Sequence, residues 1–581
     1  MNKTEKLIVF LLVIGLFASF YYSKPKQDAR PQPPPSVQQQ QVAPAAAAQP
    51  AAPVAQPAAA PVVEDVAKEP SVPEETVVLE NDELKLEVST WGAVVKRATL
   101  KRYAKNVGEL SEENPALVFD FARAPLGAIE GVAGLAANAA YEVKSASSNE
   151  VVFANAQATR TYKLGANYQL TLEESFASAG AQTNTLSVGA IAMGASKNDL
   201  LSVDSWALDA KGGQVVHHSE GDSPLKGYLA GSVGGCSGPS NVAGLPAVSS
   251  AVYPGAQKWV ALKNRFFVTA LASSTAANGG FEASVARDMK LPGAYRPESV
   301  AAKVCYAELP ATRTSVFYVG PKKQSVLWDL GMKDVMEFGM WRWICYPLVR
   351  VLNFFNDLIP SFGVAIILLT ILVRLIFWPL THKSTVGMKK MQELQPKLKE
   401  IQAKFKDNPQ RLQQETFALY REAKVNPMSS CLPMLIQIPV FIALFNVLRS
   451  AVELRYAGFL WIADLSEPEA LFASWFPFGG LNLLPILMAV TTALQSYFTP
   501  SAGDKSQQRM MMVMMPLMML FMFYSFPSAL SLYWFLSNLF SIVQMWLIRR
   551  QTAAKPAAGS SVFPDGIIDP PQTRQMRRHQ D

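Results

Sequence analysis

The chain has 581 residues; half are hydrophobic, 17% are charged, and the net charge is +7. That charged share is below the roughly 25% of soluble proteins, and mean hydropathy is positive, so the composition points to membrane spans. The four cysteines form no CxxC pair, the four histidines avoid the apolar runs, and HExxH, GxSxG and Walker patterns are missing, which leaves zinc chemistry, serine hydrolysis and ATP hydrolysis little to build on.

Leu7 to Tyr22 is apolar throughout and flanked by Lys3, Lys6, Lys24 and Lys26. Bulky Phe20, Tyr21 and Tyr22 stand where a small-residue cleavage site would fall, so residues 1–24 read as an uncleaved signal anchor. Residues 25–75 are rich in Pro, Ala and Gln and read as a tether without a core. Residues 76–325 alternate in short runs separated by turn residues, the pattern of an extracytoplasmic β-sandwich. "TVVLENDELKLEVST" predicts two strands joined at Glu80-Asn81-Asp82. His217-His218 near Glu220 and Asp222 read as a solvated loop rather than a metal site. Cys236 and Cys305 are candidates for a disulfide if this domain is extracytoplasmic.

Within 326–361, Arg342, Tyr346, Arg350, Asn353 and Asp357 share one helical face, and Ile344, Leu348, Val351, Leu352 and Phe355 the opposite one, which predicts an interfacial amphipathic helix. Five apolar segments follow at 362–380, 428–448, 481–498, 510–525 and 529–548. At 1.5 Å per residue, 510–525 is about 24 Å long, short for a bilayer core of about 30 Å. The loop 381–427 carries ten Lys or Arg, whereas 451–481 carries only Arg455 and four acids. The first is therefore predicted cytoplasmic and the second outside, with six spans and both termini cytoplasmic. Between the first two of the five segments, Met391, Leu394, Leu398, Ile401 and Phe405 form a heptad-like stripe. Asn408 is placed to cap a second helix that starts at Pro409, giving a basic helical hairpin over 383–424. Pro396 either kinks the first arm or marks its start. The tail, 551–581, is modestly basic.

Arg374 sits inside the apolar run "IILLTILVRLIFWPL", one turn after Thr370. A mid-membrane arginine costs about 2.5 to 3.5 kcal/mol on translocon scales. This segment alone leaves two readings open: snorkelling to the headgroups, or facing a wet cavity. Gln437 shares a stripe with Ser430, Thr491 with Gln495, and Trp534 with Asn538 and Ser541. Each pair alone reads as interhelical packing; together with Arg374 they favour a shared hydrophilic cavity. No Asp or Glu lies in these five segments, so the cavity would be positively charged. Eight methionines between Met510 and Met522 offer an adaptable apolar surface, with Pro516 as a kink.

"TILVRLIFWPLT", "MQELQPKLKEIQAKF", "REAKVNPMSSCLPMLIQIPVF", "SAVELR" and "FPSALSLYWFLSNLFSIVQ" resemble the YidC family of membrane protein insertases, relatives of the Oxa and Alb proteins. The anchor, tether and β domain are similar to its Gram-negative branch, with a supersandwich-like periplasmic domain in the inner membrane. The resemblance implies a five-helix core around a groove open to cytoplasm and lipid and closed outside. The groove arginine falls on Arg374, and groove-lining positions on Thr370, Gln437, Tyr533 and Trp534; the polar stripe of the last segment adds Asn538. Glu415 matches a hairpin acid that pairs with the arginine, and Met434 and Met518 would line the apolar surface along which a substrate helix slides. Trp534 departs from relatives with tyrosine there. The implied partners are nascent membrane proteins, the Sec translocon, ribosome and signal recognition components at the hairpin, and lipid; no cofactor, metal or nucleic-acid sequence is implied. A small-anion transporter or channel is the competing class, though no internal repeat supports it.

Overall fold

The computed structural model describes residues 73–553, apart from 109, 133, 137, 193–200, 210–211, 218–247, 288–296, 424, 426–431, 473–479 and 500–504. The predicted anchor, most of the tether, His218, Cys236 and the tail beyond 553 lie outside the described residues. The chain divides into two compact units, one of strands running to Trp343 and one of helices from Ile344.

The first unit holds eighteen strands, β1 (Thr76–Glu80) to β18 (Thr312–Pro321), among the described residues. Every pairing is antiparallel, in sheets ordered β1-β2-β3-β4, β13-β16-β17-β10-β5 and β12-β11-β14-β15-β18-β9-β8-β7-β6. The first hairpin forms where its turn residues predict it. Asn81 Oδ1 accepts from the backbone N–H of Glu83 (2.9 Å) and Leu84 (2.7 Å), closing the turn so that Leu79 pairs with Leu86. Alternation then buries one face, as in β9 (Gln169–Phe176), where Leu170, Leu172, Glu174 and Phe176 point inward. β10 (Asn184–Ala192) of the five-stranded sheet lies against β14 (Gln257–Lys263) and β15 (Phe267–Ser274) of the nine-stranded sheet.

Two charged clusters are buried in this unit. Glu174 receives Arg313 Nε at 2.6 Å and stands 3.1 Å from Arg160 Nη2, with all three side chains fully buried. Arg160 also donates to the carbonyls of Gly92 (2.6 Å) and Ala93 (3.1 Å). Lys263 is buried between Asp204 and Glu337 and donates to the Val335 carbonyl at 3.2 Å. Burial opposes its charge, but the two carboxylates hold the ammonium above its ordinary pKa. This contact fastens residues 333–337 to the strands, with Leu327, Met332 and Val335 fully buried. The β unit therefore extends past the 325 expected from composition.

The second unit contains α2 (Arg342–Leu358), α3 (Phe362–Glu393), α4 (Gln395–Lys404), α5 (Pro409–Glu422), α6 (Leu432–Ser450), α7 (Leu483–Phe498), α8 (Lys505–Phe523) and α9 (Ser528–Ala553); α1 (Gln324–Asp329) belongs to the first. The buried stripe of α2 is Cys345, Val349 and Leu352, whereas Ile344, Leu348, Val351 and Phe355 are only partly buried. The expected apolar face is thus rotated. Small Cys345 lets α2 approach α6, its Sγ lying 3.6 Å from the Ala443 carbonyl.

The segment expected at 362–380 continues as one 32-residue helix into the hairpin, with Pro379 inside it. Pro396 stands at the start of α4 and so marks a helix beginning rather than a kink. Asn408 Oδ1 accepts from Arg411 N at 3.1 Å, capping α5 where predicted. Met391, Leu394, Leu419 and Val425 form the hairpin core. The 510–525 segment gains a turn at its start and is 19 residues long. By length and composition, Phe362–Glu393 and Ser528–Ile548 are long and apolar enough to cross a membrane; Gln437–Ser450, Leu483–Phe498 and Met512–Phe523 are shorter apolar helices.

Candidate functional site

α9 packs against α3, α6 and α7, and this places the polar side chains of four helices near one another. Arg374 on α3 is partly buried, and its only electrostatic neighbour among the described residues is Tyr533 of α9, with no carboxylate in ion-pair range. Thr370 is fully buried, and its hydroxyl donates to the Ile366 carbonyl at 2.7 Å, inside its own helix. Tyr533 is 1% exposed, and its hydroxyl accepts from Gln437 Nε2 of α6 at 2.9 Å. Further toward the hairpin, Gln544 Nε2 donates to Thr381 Oγ1 at 2.9 Å, joining α9 to α3 again.

The structure therefore brings Arg374, Gln437 and Tyr533 together. It turns Asn538 elsewhere: Asn538 Nδ2 donates to Thr492 Oγ1 (2.8 Å) and Thr491 Oγ1 (3.3 Å), locking α9 to α7. Glu415 is exposed on α5 and is not paired with Arg374. Met518 lies on an outward face of α8 with Met514, Leu517 and Phe521, all exposed. The side chain of Met434 lies outside the described residues, as does Cys236; Cys305 is a free, half-buried thiol on β17 (Pro297–Tyr306), its pKa pushed up by burial and then by Glu282.

Two features escaped sequence reasoning. The first is a cluster of rings. Trp534 stands edge-on to Phe441 at 4.9 Å and lies 5.3 Å from Phe523; Phe523 touches Phe526 at 5.2 Å, and Phe526 touches Phe445 at 5.6 Å. Phe441 and Phe445 at i and i+4 were the available signal. The second is the folded part of the loop after α6, residues 451–472 and 480–482. Ser528 N and Ala529 N, at the start of α9, donate to the carbonyls of Glu467 (2.9 Å) and Leu465 (2.9 Å). Glu469 Oε2 accepts from Leu484 N at 2.8 Å, placing a carboxylate at the start of α7. Phe459, held by paired backbone bonds with Ile462, covers Gly363 at the start of α3. This loop thus ties together the ends of α3, α7 and α9.

Residues 76–351 match a family model described as the YidC periplasmic domain, and residues 354–555 match one described as the 60Kd inner membrane protein. The chain belongs to the YidC family. Its relatives include the membrane protein insertase YidC of Syntrophobacter fumaroxidans, 40% identical over 305 residues, which are 50% of this chain and 53% of that protein. That of Chloroherpeton thalassium is 37% identical over 318 residues, 52% of this chain and 54% of that protein. The chain thus spans about half the length of the curated YidC relatives it matches. A solved YidC from Thermotoga maritima is 15% identical with a TM-score of 0.27, covering 81% of this chain and 98% of that one. The family is one of inner membrane proteins with a periplasmic domain, and its name describes insertion, not an enzymatic reaction.

Proposed function

We propose that this chain inserts nascent proteins into the inner membrane and helps them fold there. The observation that carries this reading is Arg374, held among membrane helices beside the Gln437–Tyr533 pair with no carboxylate partner among the described residues. A cation kept unpaired at this depth is stabilised by water and attracts an acidic visitor. At an effective dielectric of about 20, a carboxylate about 4 Å away gains about 4 kcal/mol before desolvation.

In this mechanism the polar outer segment of a substrate enters the groove lined by Arg374, Thr370, Gln437, Tyr533 and Trp534, while Asn538 holds α9 to α7. Its apolar helix slides along Met434 and Met518. The groove shortens the path over which polar backbone crosses hydrocarbon. Partitioning of the apolar helix and the membrane potential supply the energy. The reading includes six spans, cytoplasmic termini and a supersandwich periplasmic domain. It includes work beside the Sec translocon, and docking of ribosome and signal recognition components at the basic hairpin. Glu415 would reach Arg374 when the hairpin moves. The names of the relatives support insertion over anion transport.

Replacing Arg374 with Ala is expected to lower insertion of substrates with acidic translocated segments about tenfold, a change of about 1.4 kcal/mol, while Arg374→Lys retains most of it. Depletion–complementation with such substrates reads the effect. Full insertion by the Ala variant would end the charge reading.

A further inference from the structure

We propose that the turn Phe459–Ile462 anchors the loop after α6 in the bilayer surface, with Leu460 and Trp461 entering the boundary between lipid headgroups and acyl chains on the side where α3 begins. The proposal takes α3 and α9 as membrane spans and does not otherwise depend on the insertion reading. The turn is a two-residue hairpin, closed by Phe459 N–H to the Ile462 carbonyl (2.8 Å) and Ile462 N–H to the Phe459 carbonyl (2.9 Å). Its side chains divide. Phe459 lies over Gly363, and Ile462 is buried. The two central residues face out, Leu460 at 75% exposure and Trp461 at 43%. Leu460 has φ +54° while Trp461 lies outside that region, the pattern of a type II′ turn, whose first central position usually holds glycine. Leucine there carries backbone strain that glycine avoids, and such strain persists where the side chain itself is needed. Phe472, also exposed, repeats the arrangement at φ +53°.

The acids of the loop turn the other way. Asp464 is buried and accepts from Tyr456 N (3.1 Å), Ser466 N (2.8 Å) and Ser466 Oγ (2.7 Å). Glu469 uses one oxygen on Leu484 N, at the start of α7, and the other on Trp461 Nε1 at 2.9 Å. A loop bathed in water turns its carboxylates out and its leucine in; this one does the reverse at its tip. Its bonds also set its height. Phe459 covers the start of α3, Glu469 meets the start of α7, and the carbonyls of Leu465 and Glu467 take the first N–H groups of α9. The turn is therefore level with three helix ends, the depth at which headgroups meet helices that cross a bilayer. Leu358 and Ile359, just before α3, are exposed there too. Tryptophan, an apolar ring with one polar edge, is the side chain enriched in that layer. A strained apolar tip at headgroup depth, its indole N–H already bonded, fits lipid. Holding the tip in lipid also holds the start of α3, on which Phe459 rests.

The test is depth-dependent quenching in proteoliposomes holding the full chain. Leu460→Cys is coupled to a small fluorescent thiol label, and the signal from the parent's own cysteines is subtracted. Leu375→Cys, labelled in the same way, is the reference: Leu375 is exposed on α3, twelve residues and about 18 Å from Gly363. Lipids brominated near the headgroup end of the acyl chain are expected to quench the Leu460 label about twofold, with little effect of aqueous iodide. The Leu375 label is expected to respond more to lipids brominated deep in the chain. Quenching of the Leu460 label by iodide and not by bromine would place the turn in water and overturn the anchor. Quenching by neither would mean that protein covers the turn, and would overturn it as well. In both cases a bromine-quenched Leu375 label leaves the span, and with it the insertion reading, standing. Bromine silent at both positions would remove the span and the anchor together.

Discussion

Gly363→Ala puts two opposed effects on one atom, and the structure decides their sign. Gly363 is the second residue of α3, and alanine there gains at most about 1 kcal/mol of helix propensity. A Cβ at Gly363, however, would lie 2.7 Å from Phe459 Cβ and nearer still to Cγ and Cδ2 of the ring. Rotating the ring does not relieve the Cβ contact, because the backbone that sets Phe459 Cβ is held by N–H to carbonyl bonds of 2.8 and 2.9 Å with Ile462. Relief requires the loop to move by roughly an ångström, and overpacking of this kind costs about 1–3 kcal/mol. The net expectation is destabilisation of about 1–2 kcal/mol, a factor of about 5–30 in the folded ratio. Thermal unfolding in detergent, read with limited proteolysis of the 451–482 loop, measures it. Phe459→Ala in the same chain should recover part of the loss, since it removes the ring atoms that come nearest and leaves only the Cβ contact. A Gly363→Ala variant as stable as the parent, or one that Phe459→Ala fails to rescue, would refute the packing argument.

Glu174→Gln leaves the Arg160 and Arg313 guanidiniums buried without a counter-charge and is expected to destabilise the β unit by about 3–5 kcal/mol, read by denaturant unfolding of the full chain. Burial, opposed in part by Arg102, raises the Tyr168 hydroxyl to about 12, and Tyr141, Tyr162 and Tyr306 are also raised, first by burial. A raised pKa means that the fold prefers the neutral phenol. This contribution is therefore complete below about pH 10, the unfolded value, and fades as pH climbs toward 12. A phenolate absorbance titration in which all the tyrosines ionise near pH 10 with the fold intact would contradict it.

Local chemistry was the legible part of the sequence. Asn81 and Asn408 each act within three residues of themselves, and both close the turn or cap that the sequence predicts. The basic hairpin and the apolar segments were readable because charge and hydropathy need no partner to be recognised. What failed to read was anything that depends on which neighbour a side chain meets. Asn538 shares a stripe with Trp534, yet its amide goes to two threonines on α7. Thr370 shares one with Arg374, yet its hydroxyl stays within its own helix. Periodicity placed the apolar face of α2 correctly in kind but about a residue off in angle, because a small cysteine packs where bulk was expected. The Glu174–Arg313 pair, 139 residues apart in sequence, has no local signal at all.

The continuity of α3 has a mechanical consequence. One rod of 32 residues, about 48 Å long, is braced at one end by Phe459 over Gly363 and at the other by Met391 in the hairpin core. Arg374 rides on it eleven residues, about 17 Å, from the end braced at Gly363. With that end as fulcrum, a tilt of about 10° imposed at the hairpin carries Arg374 about 3 Å sideways, enough to break or make a hydrogen bond. Pro379, between the arginine and the hairpin, is the compliant point that sets how much of the push arrives. Whatever docks on the hairpin thus holds the long arm of a lever whose short arm carries the charge.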